Sequence, residues 1–212
     1  VAARNAQDGI SVIQTAEGAL TEVHSILQRV RDLAVQAGSD SNNADSRTAI
    51  KTEIDSLGKE LTRVAASTNF NGIKLLDSAS TLTFQVGAGS DADEDQIAVT
   101  LTDFSGLGAR IEALTVTDAA AALTTIAALD TEIKGVSTAR AGLGAVQNRF
   151  ESTINSLQVS AENLAAAKSR IADTDMAAEM VKYTASNILQ QAGTAMLAQA
   201  NQSGQGVLQL LR

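Results

Sequence analysis

Two long runs of this chain repeat an apolar residue in alternating steps of three and four. The first passes through Ala6, Gly9, Ile13, Ala16, Leu20, Val23, Leu27, Val30, Ala34 and Ala37. The second passes through Ile126, Leu129, Ile133, Val136, Arg140, Leu143, Gln147, Phe150, Ile154, Leu157, Ala161, Leu164, Lys168 and Ile171. Only Arg140, Gln147 and Lys168 break its apolar line. A seven-residue repeat held this long is a seam for partner helices. As one helix the second run would span roughly 70 Å. A helix of that length cannot cover its own seam, so other segments or other subunits must do so.

The pattern predicts three long helices, at 1–38, 43–66 and 118–171. Gly38 suits the end of the first. Asn42, Asn43 and Asp45 offer caps for the second, whose stripe is Ile50, Ile54, Leu57, Leu61 and Val64. Asp118 suits the start of the third. The short polar turn between the first two makes them an antiparallel pair, and the third helix packs as another member. Between 67 and 110 the period drops to two. Leu82, Phe84 and Val86 alternate with polar residues, as do Ile97, Val99 and Leu101. This is a β-hairpin pattern. Asn71-Gly72 signals a tight turn, and Ser105, Gly106 and Gly108 mark a bend. The fold class expected is mainly α: a coiled-coil rod of long antiparallel helices, with a small β-hairpin region, over 1–172.

The tail, 173–212, follows another rule. From Tyr183 through Leu211 no side chain is charged. Val181, Ile188, Leu189, Ala192, Met196, Leu197, Leu208 and Leu211 would place apolar groups over a broad arc of a helix. Such a helix seeks burial on most sides, and no segment of this chain is left over to bury it. The alternative is a loose, oily terminus; good helix formers and the absence of Pro favour a helix buried against other molecules.

Composition narrows the function classes. Aromatic residues make up 2% of the 212 and hydrophobic residues 44%, so the apolar material is mostly Ala, Leu, Ile and Val, which suits slim helix seams. There is no Cys, hence no disulfide, thiol nucleophile or Cys-based zinc site. A net charge of −8 argues against broad nucleic-acid binding. No run is apolar enough for membrane insertion and no signal-peptide pattern opens the chain. The sole His, His24, follows a seam position and is read as a solvent-facing helix residue, which leaves no nucleophile–base pair to argue from. Asp91, Asp93 and Asp95 alternate like the start of a calcium loop, but Gln96 stands where that loop needs Gly and Thr102 where it needs Glu. They read as a solvated turn. Arg29, Arg31 and Lys51, scattered among acids, read as solvated helix faces. No catalytic residue, metal ligand or cofactor site is assigned.

At this level the residues resemble a known family. Arg4-Asn5-Ala6-Gln7-Asp8-Gly9-Ile10-Ser11, Thr15-Ala16-Glu17-Gly18-Ala19-Leu20, Gln28 to Gln36 and Asn69-Phe70-Asn71-Gly72 resemble the rod region of bacterial flagellin. Leu143-Gly144-Ala145-Val146-Gln147-Asn148-Arg149-Phe150 resembles its long helix. Ile188 to Gly193, Leu197 to Asn201 and Leu210-Leu211-Arg212 resemble its tail. The resemblance covers nearly the whole chain. It implies a structural, non-enzymatic protein: a rod domain over 1–172, and an inner-core helix over 173–212.

The resemblance also implies a homopolymer with other flagellin subunits, extracellular in the flagellar filament. It implies type III export without a cleaved signal peptide, and an export chaperone on the tail. Filament cap and hook–filament junction proteins are the other assembly partners. A host Toll-like receptor that senses flagellin would dock on Arg29, Leu33 and Glu53. Arg29 and Leu33 share a helix face, and Leu33 falls outside the seam, so it is expected as an exposed apolar anchor. Family members open with a further helix that pairs with the tail. A chain opening at Val1 is expected to lack that helix and ordinary polymerisation with it. Only about sixty residues separate Leu76 from Ala139, so the outer domains of large flagellins are not expected. Two other readings remain. One is a hook–filament junction protein of the same superfamily. The other is a flagellin carrying an inserted peptidase, against which the short centre and the single His argue.

Overall fold

The computed structural model describes residues 1–210, without the side chains of 205 and 207–210. The chain divides into two units, Val1–Ser160 and Ala161–Arg212. Its elements run α1 (Ala2–Ala37), α2 (Ala44–Ser67), β1 (Asn69–Phe70), β2 (Ile73–Lys74), β3 (Thr81–Gln85), α3 (the single turn Ala92–Asp95), β4 (Gln96–Thr100), α4 (Leu107–Glu112), α5 (Ala119–Ala172) and α6 (Met176–Leu210).

The first unit is built on the two seams. Every seam residue of α1 is buried, from Ala6 to Ala37. On α5 the buried set includes Ala122, Leu129, Val136, Leu143 and Phe150, one every seven residues. The two helices run antiparallel in a fixed register. Arg140 Nη2 lies 3.4 Å from Glu17 Oε1, and Arg31 Nε lies 2.7 Å from Asp130 Oδ1. A Cβ added at Gly38 would lie 3.5 Å from that of Ala122. At the far end, a Cβ added at Gly9 would lie 2.7 Å from Phe150 Cζ. The Phe150 ring therefore rests on bare backbone.

Helix α2 folds back on α1. Asn43 starts it by accepting the Ser46 N–H at 2.8 Å, which satisfies one of the free amides of the first turn. Arg47 Nε donates to the Ala37 carbonyl at 3.0 Å and so closes the end of α1. Asp118 caps α5 in the way Asn43 caps α2, accepting the Ala121 N–H at 2.8 Å.

The region of period two forms two separate hairpins. In the first, Asn69 pairs with Lys74 and Phe70 with Ile73, while Asn71 (φ 49°) and Gly72 (φ 82°) make the turn. Positive φ at both central residues is what an Asn-Gly turn supplies. The second pairs β3 with β4 antiparallel, Thr81 opposite Thr100 through Gln85 opposite Gln96. Its inward side chains continue the core: Val86, Ile97, Val99 and Leu101 are buried, and Phe84 meets Phe150 edge-on at 5.6 Å. Asn5 on α1 donates to the Gln85 carbonyl at 2.9 Å.

The bend at Ser105–Gly108 is more than a bend. It opens α4, which packs on α2 at Gly58 and Gly108. A Cβ at Gly108 would fall 2.3 Å from the Gly58 carbonyl oxygen, so the two backbones meet without side chains between them. Arg110 fastens α4 to α5 by a two-pronged pair with Glu132, at 2.8 and 3.0 Å. That bond holds the Arg110 guanidinium protonated beyond its ordinary range.

In the second unit, Asp173 to Asp175 interrupt the helix. Asp175 Oδ1 accepts the Ala177 and Ala178 amides at 2.9 and 3.2 Å and starts α6. Leu164 and Ile171, on the last turns of α5, are exposed.

Candidate assembly surfaces

Three sequence-based expectations meet a different geometry. Leu33 was expected as an exposed anchor but is 2% exposed. It sits between Arg29, paired with Glu53, and Ala37, bonded by Arg47. The antiparallel register therefore sets it level with Ile50 of α2, also buried. The single seam missed it because α1 has two neighbours at different angles and needs a second apolar stripe. Ile10 and Val12 are also buried off the seam, one on each flank of it.

His24 was expected to face solvent, and it is half-buried with Nδ1 covered and unpaired. Seven residues separate it from Glu17 and from Arg31, so it lies on the α1 flank facing α5. Lys51 was expected on a solvated face but is part-buried, whereas Arg31 does lie on an exposed face and is paired there. Arg31 pairs with Asp130 across the α1–α5 flank, and Lys51 donates to the Glu112 carbonyl at 2.7 Å. Spacing along one helix could not reveal partners supplied by α5 and α4.

Arg29 and Glu53 are brought together. Arg29 Nη2 lies 2.6 Å from Glu53 Oε1 and Nε 3.0 Å from the same oxygen. Both side chains stay about half exposed, at 57% and 45%. The pair bridges α1 and α2 on the outer surface, and its contribution to stability is small because water screens it.

The acidic loop consumes its own carboxylates. Asp91 accepts the Asp93 N–H, and Asp95 accepts those of Gly89 and Asp91. Among the described residues no group of three or more His, Asp or Glu side chains is placed to hold a metal ion.

The tail presents a surface. Val181, Ala185, Ile188, Ala192 and Met196 follow at steps of four, three, four and four, so they share one face of α6. Leu189 flanks that face and Leu197 lies off it. All are exposed, Leu189 at 72% and Met196 at 73%. The Leu208 side chain and the whole of Leu211 lie outside the described residues. No helix among the described residues is long and apolar enough to cross a membrane. Met196 on this face and Leu189 beside it, 73% and 72% exposed, make an apolar patch on the surface of the helix.

Comparison with known proteins identifies the family of this surface. The bacterial flagellin N-terminal helical region matches residues 1–81, and the bacterial flagellin C-terminal helical region matches 126–211. A flagellin of Halalkalibacterium halodurans is 50% identical over the whole chain and 78% of its own length.

The chain belongs to the bacterial flagellin family.

A flagellin of Bacillus subtilis is 47% identical over the whole chain and 80% of its own length. The crystal structure of Bacillus cereus flagellin matches with a TM-score of 0.64 at 34% identity, over 78% of this chain and 94% of that one. As a flagellin, the protein is a structural subunit of the flagellar filament. The first family region covers α1, α2 and the first hairpin, and the second covers most of α5 together with α6.

Proposed function

We propose that this flagellin is built into its filament chiefly through the broad apolar arc of α6 that carries Val181, Ile188, Leu189, Ala192, Met196 and Leu197; in the sequence the same tail also holds Leu208 and Leu211. The observation that supports this is the exposure of large hydrophobic side chains along a helix with no charge beyond Lys182 until Arg212. Burying such a face against copies of itself is favoured by about 25 cal/mol per Å² of apolar surface. The same face offers the export chaperone a binding strip before assembly. Cap and hook–filament junction proteins meet the subunit at the filament ends, and export proceeds through the flagellar type III route. A rod domain over 1–172 and an inner-core segment over 173–212 divide these tasks.

The test puts a charge in the strip. Leu189→Asp, expressed from the complete gene as a cell's sole flagellin, is expected to abolish filaments seen by electron microscopy and to abolish swimming. An ionised carboxylate at a dry interface without a partner costs several kcal/mol per subunit. Full-length filaments from Leu189→Asp would refute the assignment.

The reading as a target of a flagellin-sensing Toll-like receptor attaches to the Arg29–Glu53 bridge. Leu33 contributes from below, by holding α1 and α2 at the spacing the pair needs. Arg29→Ala and Glu53→Ala are the informative changes, since Leu33→Ala opens the core. Arg29→Ala is expected to weaken receptor binding by about tenfold, 1.4 kcal/mol, with an unchanged circular dichroism spectrum. Equal binding by the variant and the parent would remove the bridge from the docking face.

A further inference from the structure

Ten asparagines occur in the chain, and only Asn71 is followed by glycine. The structure places this pair at the tip of the first hairpin, with both residues exposed. Gly72 has no side chain to shield its amide, and a Cβ built on it would touch nothing within 4 Å. The Gly72 amide takes no part in the strand pairing, whose partners are Asn69 with Lys74 and Phe70 with Ile73. The hairpin is short: two residue pairs, continued at its base by the Leu75 N–H to the Thr68 carbonyl at 3.2 Å. Two-stranded hairpins of that size open at small cost.

We propose that Asn71 is a self-modification site, converting through a cyclic imide to aspartate and isoaspartate. The Gly72 nitrogen attacks the Asn71 side-chain carbonyl carbon, Cγ. A new N–Cγ bond forms, the Cγ–Nδ2 bond breaks, and ammonia leaves with the proton from the Gly72 amide. Water then opens the five-membered imide at either carbonyl. Opening at the main-chain carbonyl gives isoaspartate, and opening at the side-chain carbonyl gives aspartate. No oxidant, metal or enzyme enters, and solvent supplies the water.

Six of the nine other asparagines are held in helices, Asn5 in α1 among them. Asn148, Asn155, Asn163, Asn187 and Asn201 lie inside α5 and α6, where the following amide is committed to the helix ladder. Asp8-Gly9 has the spacing for the related aspartate reaction but lies within α1, under Phe150.

The two products differ in effect. Aspartate keeps the turn, because Asp-Gly also tolerates positive φ at both positions. It adds a negative charge at the hairpin tip. Isoaspartate adds a carbon to the backbone path and breaks the pairing of Phe70 with Ile73. In a subunit that stays in place for long, the hairpin tip would thus record age.

The test ages the whole protein in mildly alkaline buffer and follows each asparagine-containing peptide by mass spectrometry. The peptide spanning Asn71 is expected to gain the amide-to-acid mass difference and to split into two chromatographic species. Its rate should exceed that at Asn155 at least roughly tenfold, which corresponds to about 1.4 kcal/mol in the cost of freeing the amide. Asn71→Gln should abolish the gain in that peptide, since its ring closure is far less favourable. Conversion at Asn71 no faster than at Asn155, or an equal gain in Asn71→Gln, would overturn the proposal.

Discussion

Phe150→Ala is expected to lower the unfolding free energy by about 3–5 kcal/mol. Three elements meet on this ring. It is fully buried, and it covers Gly9 of α1 so closely that a Cβ there would lie 2.7 Å from Cζ. It stands at 86° to Phe84 of β3, with centroids 5.6 Å apart. Removing it uncovers Gly9, which has no methyl group to move into the gap, and it strips β3 of its contact with α5. The cavity should therefore collapse poorly, which sets the cost at the upper part of the range. Thermal unfolding should shift down by about 2–4 °C for each kcal/mol. Pairing the change with Phe84→Ala should reveal a coupling of about 0.5–1.5 kcal/mol. A loss below about 1 kcal/mol, the ordinary cost of an average substitution, would contradict the packing described.

The second large effect belongs to a missing side chain. Gly108→Ala is expected to destabilise by about 1–3 kcal/mol, the cost of overpacking. The added methyl would sit 2.1 Å from Thr62 Oγ1 and 2.3 Å from the Gly58 carbonyl oxygen. Thr62 can rotate, but the backbone carbonyl cannot, so α4 must lift from α2. That movement pulls on the Arg110–Glu132 pair and on buried Leu107 and Ile111. Gly135→Ala supplies the opposite sign. Gly135 is helical, and its added Cβ meets nothing within 4 Å. Alanine there should stabilise by about 0.5–1 kcal/mol. Urea unfolding of the two variants side by side checks both signs. A similar stability change in the two would mean that the α2–α4 contact is loose.

The long helices were legible because their periodicity is a one-dimensional signal. Three-four spacing from Ala6 to Ala37 marks the buried stripe of α1 residue by residue. Phe84 with Ile97 and Val99 likewise reveals the second hairpin by alternation alone. What spacing could not carry was the angle between neighbours. Leu33 is covered because α2 comes back beside it, and no count along α1 contains that fact. Helix α4 escaped for another reason: two glycines within three residues lower helix propensity, and only the approach to Gly58 makes their lack of side chains useful. The exposed apolar face of α6 was visible as a run without charge, whereas the Arg29–Glu53 bridge joins residues 24 apart, beyond the reach of any local pattern.

Ala122, Leu129, Val136, Leu143 and Phe150 mark off α5 in strict sevens, and Ala6, Ile13, Leu20, Leu27 and Ala34 do the same on α1. The length of this pair is therefore quantised. A longer variant could gain seven residues on each helix, about 10 Å of rod, and keep every ridge against its groove. An insertion of two on one helix alone would turn the whole remaining stripe by about 200°, away from its neighbour.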